Sequence, residues 1–316
     1  MSAPRRTAAE VYERLRREED ARSEYAGGEE PLGVEIGFVF TSLAVADDNQ
    51  AFYGPLVSAA RRRAATFGCD VVYIAPTADS WLEASSVERC VEHGAAGLVV
   101  FGGADGNPDV LSERWDGLPT VFVEYDTLGS RSAHVGIDNE TAFAEIVGHL
   151  ADANHSRIAT ITGPLDTRVA AERLIGYRAM MERLGYPPRP EYIQVGDYSV
   201  DSGRDGMRRL LALETPPDAV AVACDVQAIG AIMAIEEAGL RCPEDVAITG
   251  FDDADFAVDL DPALTTVRQP ARDIGIAAVN SLVDMIRDPS IAPPVVLLPG
   301  ELIVRDSCGA LLSKLA

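Results

Sequence analysis

The chain has 316 residues, enough for two domains with sizeable cores. Hydrophobic residues make up 47% and charged residues 24%, ordinary globular usage that excludes a largely disordered chain. A formal net charge of −23 excludes the basic surface that nucleic-acid binding draws on, so the acidity acts chiefly on solubility.

In chain order, residues 5–25 read as a charged helix carrying Val11, Tyr12 and Leu15, ended by Gly27, Gly28 and Pro31. Such a helix is either solvated, partner-contacting or a frayed tail. No secretory signal is read ahead of it, and no run of about 18 apolar residues occurs anywhere. A cytoplasmic protein with no membrane partner is expected. The five cysteines are widely spaced with no Cys-x-x-Cys, which fits reduced thiols.

From residue 33 strand-like runs follow one another: GVEIGFVF, DVVYIA, AGLVVF, PTVFVE, HVGID, RIATIT, YIQVG, AVAVAC and DVAITGF. Helix-length amphipathic segments separate most of them: Tyr53–Thr66, Ser85–His93, Asn139–Asn154, Val169–Leu184, Asp201–Leu213 and Asp225–Ala238. Continuous apolar strands alternating with helices predict parallel sheets covered on both faces. Asp225 is placed to cap the helix that follows it, Gly239 to end that helix, and Pro243 to prevent its continuation. The last runs, VVLLP and ELIV, read as edge strands with no helix between them. About ten strands exceed one comfortable sheet, so two α/β lobes are expected.

Catalytic and cofactor signatures are missing. There is no phosphate-binding Gly-x-x-x-x-Gly-Lys, no Gly-x-Gly-x-x-Gly and no Gly-x-Ser-x-Gly. The loop Gly102-Gly103-Ala104-Asp105-Gly106 lacks an accompanying lysine and reads as a turn. His93, His134, His149 and His155 have no metal-binding spacing, so neither metal nor cofactor is expected. An enzyme reading rests on acidic residues alone.

The segment from Asp225 to Ile286 carries Asp225, Ala228, Gly230, Ala234, Gly239, Pro243, Asp245, then Gly250-Phe251-Asp252-Asp253, Pro262, Leu264-Thr265-Thr266, Gln269-Pro270 and Gly275. Upstream stand Gly163-Pro164, Arg173, Gly176-Tyr177 and Ala179. In these residues the chain closely resembles the LacI/GalR family of transcription regulators, over roughly residues 33–309. The resemblance implies two Rossmann-like lobes of the periplasmic-binding-protein type I fold, joined by three crossovers. The boundaries it suggests are a linker over 1–32, a first lobe of 33–137 plus 267–294, a second of 138–266 plus 295–309, and a tail of 310–316.

It also implies a ligand site in the cleft between the lobes. Asp252 corresponds to a carboxylate that accepts hydrogen bonds from ligand hydroxyls or ring nitrogens, and such an acceptor suits a vicinal diol. Arg173 corresponds to a guanidinium that binds ligand oxygens. Phe52, Tyr53 and Tyr198 fall where relatives place rings, whose faces suit a sugar or a base. Glu124, Asp225 and Gln269 are further cleft positions. Asp253 is expected to open the following short helix. Cys224 departs from the polar amide of some sugar-binding relatives.

The residues ahead of the first strand lack the family's helix-turn-helix pattern, so DNA is expected to be reached only through a headpiece or partner outside this chain. The reading is a non-enzymatic effector sensor, signalling by cleft closure. Its effector is a sugar, with a nucleoside second, and a homodimer is implied by the resemblance. A sugar-binding transport protein, or a sensor with a non-DNA output, is the alternative. A paired-carboxylate glycosidase is the third reading.

Overall fold

The computed structural model describes residues 31–41, 52–75, 91–102, 117–125, 130–187 and 189–310. The charged helix expected over 5–25, most of the 85–93 helix and most of the 102–106 loop lie outside the described residues.

One sheet contains β1 (Glu35–Phe40), β2 (Asp70–Ile74), β3 (Leu98–Phe101), β4 (Thr120–Val123), β5 (Ser132–Ile137) and β11 (Val295–Leu298). Their order is β11-β5-β4-β3-β1-β2 and every pairing is parallel. β3 and β4 are buried at every residue, as strands covered on both faces must be. Helices α1 (Tyr53–Thr66) and α6 (Ala271–Arg287) belong to this lobe. They approach so closely that a Cβ on Gly275 would fall 2.2 Å from the Leu56 carbonyl oxygen.

The second sheet contains β6 (Ile158–Thr162), β7 (Ile193–Val195), β8 (Ala219–Val222) and β9 (Ala247–Thr249), in the order β7-β6-β8-β9, again all parallel. Around it lie α2 (Asn139–Asp152), α3 (Arg168–Arg183), α4 (Val200–Leu211) and α5 (Asp225–Glu237). Side-chain oxygens cap three of these helices. Asp138 Oδ1 accepts from the Thr141 amide, Thr167 Oγ1 from Ala170, and Ser199 Oγ from Ser202. α4 and α5 meet glycine to backbone, since a Cβ on Gly230 would sit 1.9 Å from the Val200 carbonyl oxygen.

β10 (Thr266–Arg268) pairs antiparallel with β12 (Glu301–Ile303), and isolated bridges tie Thr249 to Thr265 and Asp252 to Arg268. The chain therefore passes between the lobes three times: at β5 to α2, at β10 to α6, and at β11 to β12.

Two expectations are corrected here. β11 pairs with β5, so residues 295–298 complete the first sheet instead of joining the second lobe. A short apolar run carries no mark of which sheet edge it will extend. And Cys224, not Asp225, is the N-cap of α5, its Sγ accepting from the Gln227 amide at 3.5 Å. Asp225 is the first helical residue and is fully buried.

Candidate functional site

The carboxyl ends of parallel strands are where α/β folds build sites. Five non-glycine residues among those described have positive φ: Glu124 (54°), Asn154 (72°), Tyr198 (68°), Asp252 (121°) and Asp253 (53°). Four of the five lie on the turns just beyond β4, β7 and β9. Left-handed backbone costs a non-glycine residue about 1–3 kcal/mol, and such residues gather where a site requires them.

Glu124 follows β4 in the first lobe. Its Oε1 accepts from the Ile137 amide at 2.6 Å, and Asn139 Nδ2 lies 3.5 Å from Oε2. Gly136 leaves room for this carboxylate, because a Cβ there would stand 2.6 Å from Oε1. Burial pushes Glu124 up to about 7, against the lowering effect of the Ile137 amide, Arg173 and Asn139. Arg173, on α3 of the second lobe, is 5% exposed. Its Nε donates to Asn139 Oδ1 at 2.9 Å and its Nη1 to the Ala223 carbonyl at 2.6 Å. Its guanidinium lies 3.6 Å over the Phe251 ring.

Asp252 Oδ1 accepts from Gln269 Nε2 at 2.7 Å. Burial raises its pKa, and Arg173 and then Gln269 oppose the rise. Gln269 Oε1 is buried with no hydrogen-bond partner among the described residues. Asp252 and Arg173 both belong to the second lobe.

Asp225 sits behind Asp252 with both oxygens engaged. Thr266 Oγ1 donates to Oδ1 at 2.6 Å and the Ala254 amide to Oδ2 at 2.8 Å. Burial, then the charge of Asp252, raises its pKa. Asp225 thus anchors the turn after β9, and the structure does not leave it an open acceptor. Asp253 does not open the short 3-10 helix Asp255–Val258, whose N-cap is Ala254. It is held instead by Arg305 Nη2 at 2.5 Å and Arg268 Nε at 2.8 Å. Arg268 ends β10 and Arg305 follows β12, 15 and 52 residues away in sequence, so local spacing carries no sign of either partner.

Tyr53 opens α1, its hydroxyl donating to the Gly102 carbonyl, and Phe52 stands edge-on to it with centroids 4.9 Å apart. Burial raises the Tyr53 pKa most, and Glu124, Asp252 and Tyr198 raise it further while Arg173 opposes them. A first-lobe phenol therefore feels three groups of the second lobe. The Tyr198 hydroxyl is buried with no good hydrogen-bond partner among the described residues, although Thr167 lies beside it. Its ring lies over Gly163, where a Cβ would be 2.1 Å from Cζ.

The structure brings together Tyr53, Glu124, Arg173, Tyr198, Asp252 and Gln269, with Phe52 at the edge. Sequence reasoning missed Asn139, Glu172 and Thr266. The one signal for Asn139 was its place directly after a strand at the first expected crossover. Among the described residues no cluster of three or more histidine, cysteine or acidic side chains could hold a metal ion. No described helix is long and apolar enough to cross a membrane.

Two α/β lobes, three crossovers and polar and aromatic side chains gathered at the strand ends define a periplasmic-binding-protein-like domain. A family model described as "Periplasmic binding protein-like domain" matches residues 147–308. The ribose operon repressor of Escherichia coli K12 is 31% identical over 274 residues, covering 86% of this chain and 81% of the relative. The HTH-type transcriptional repressor CytR of the same organism is 39% identical over 177 residues, covering 56% of this chain and 52% of the relative. A solved complex of the transcriptional regulator CelR with cellobiose superposes with a TM-score of 0.75 at 26% identity, covering 96% of this chain and 92% of that one. A LacI-family regulatory protein from Chloroflexus aggregans gives a TM-score of 0.74 at 28% identity, covering 87% and 99%. The chain belongs to the LacI family and carries its periplasmic-binding-protein-like domain.

Proposed function

We propose that this protein is a non-enzymatic sensor whose cleft binds an uncharged polyhydroxylated effector, a sugar first, and that cleft closure reports binding to the transcription machinery. The observation that carries the reading is the convergence of Tyr53 and Glu124 from one lobe with Arg173, Tyr198 and Asp252 from the other. A ligand bridging such groups favours the closed arrangement by its differential affinity. The relatives support a regulatory output: one is a ribose operon repressor and another was solved with cellobiose. On this reading the chain would work as a homodimer in the cytoplasm.

The cleft chemistry favours a neutral ligand. Arg173 already spends Nε and Nη1 on Asn139 and Ala223, so it cannot grip a phosphate with a free fork. Glu124, Asp252 and Asp225 add acidic groups that oppose an anion. The stacking faces of Tyr53 and Tyr198 keep a nucleoside as the second reading. A thermal-shift screen of D-ribose, cellobiose, adenosine and D-ribose 5-phosphate tests this. A neutral sugar or nucleoside should raise the melting temperature, and Arg173→Ala or Asp252→Ala should abolish the rise. If both variants still respond, or if only the phosphate binds, the reading is wrong.

A further inference from the structure

We infer that Asn139 is a positioning residue for the effector site, setting the orientation of Arg173 and tying it to Glu124 across the lobes; this rests on the sensor reading above. Asn139 is the first residue of α2, where the chain has just left β5 for the second lobe. It is 2% exposed. Its Oδ1 accepts from Arg173 Nε at 2.9 Å, and its Nδ2 donates to Glu172 Oε2 at 3.1 Å and faces Glu124 Oε2 at 3.5 Å. Glu172 is itself fixed by Arg168 at 2.6 Å. One amide therefore joins a first-lobe carboxylate to two charged groups of α3.

The chemistry requires an amide. Arg173 needs an acceptor, while Glu124 and Glu172 need a donor, and the Asn carboxamide supplies one acceptor and two donor hydrogens from one planar group. An aspartate would still accept from Arg173 but would set a third carboxylate between two others. A leucine would satisfy none of them. With Nε held by Asn139, Nη1 by Ala223 and one face by Phe251, the guanidinium is fixed, and Nη2 is the nitrogen left to offer the cleft.

The test uses the full chain. Arginine side-chain ¹⁵N spectra of the ligand-free protein, with the Arg173 signal assigned from Arg173→Lys, should show a slowly exchanging Nε–H. In Asn139→Leu that proton should exchange at least about tenfold faster, the loss of one hydrogen bond between a charged and a neutral group. Where the leucine variant does not fold, Asn139→Asp is used. It should melt lower than wild type at pH 8 but close to it at pH 5, and Glu172→Gln in the same chain should relieve the difference. Wild-type protection in the leucine variant, or a pH-independent deficit in the aspartate variant, overturns the inference. Titration with D-ribose, cellobiose and adenosine forms the second arm. Affinity for whichever probe wild type binds should fall at least about tenfold with Asn139→Leu. Lost Nε–H protection with wild-type affinity overturns the positioning role. A wild type that binds none of the three overturns the effector reading instead, and the exchange and melting results still decide Asn139.

Discussion

Replacing Glu124 by Gln isolates the proton that burial imposes on the cleft. In the folded protein this carboxyl is raised from 4.5 to about 7. The native state therefore holds a proton on Glu124 between those values that the unfolded chain has released. The stability this proton supplies is fully present below pH 4.5 and is lost as pH rises through about 7. At 1.36 kcal/mol for each pH unit, the span corresponds to about 3 kcal/mol at its upper limit. Gln carries no titrating proton and resembles the neutral acid in shape, so its stability should not follow this slope. Glu124→Gln should match wild type near pH 5 within about 1 kcal/mol, the worth of one neutral hydrogen bond. At pH 8 it should be the more stable protein, by up to about 6 °C in melting temperature for a chain of this size. Calorimetric or fluorescence melts of both proteins from pH 5 to pH 8.5 measure the difference directly. Asp225 and Asp252 titrate in both proteins and so largely cancel. A difference that does not change with pH would refute the burial argument.

Three other outcomes are expected. Thr266→Val removes one of two donors to buried Asp225 and should destabilise by about 1–3 kcal/mol, read from denaturant melts. In double-mutant cycles around Asp253, the half-exposed Arg268 should couple by less than about 1 kcal/mol, while the more buried Arg305 should couple more strongly. Equal couplings would contradict the difference in exposure. Gly163→Ala places a Cβ inside the Tyr198 ring and must displace it, so Tyr198 fluorescence or its NMR ring shifts should change even without ligand.

The alternation of apolar runs with amphipathic helices was enough to give two parallel α/β lobes, because strands buried on both faces and helices buried on one leave different periodicities. The family resemblance around Gly250-Phe251-Asp252-Asp253 and in the upstream residues pointed to Asp252, Arg173 and Tyr198, and the apolar run PTVFVE placed Glu124 at a strand end. What the sequence alone could not decide is how those residues share their partners. Asp225 reads locally as a helix cap, yet Thr266, 41 residues away, and Ala254 claim its oxygens. Asp253 reads as a helix opener, yet Arg268 and Arg305 hold it. β11 reads as part of the second lobe until β5 pairs with it. Periodicity is a local property that burial writes into neighbouring residues. Hydrogen bonds and sheet edges between distant segments leave no such trace, and only the tertiary structure assigns them.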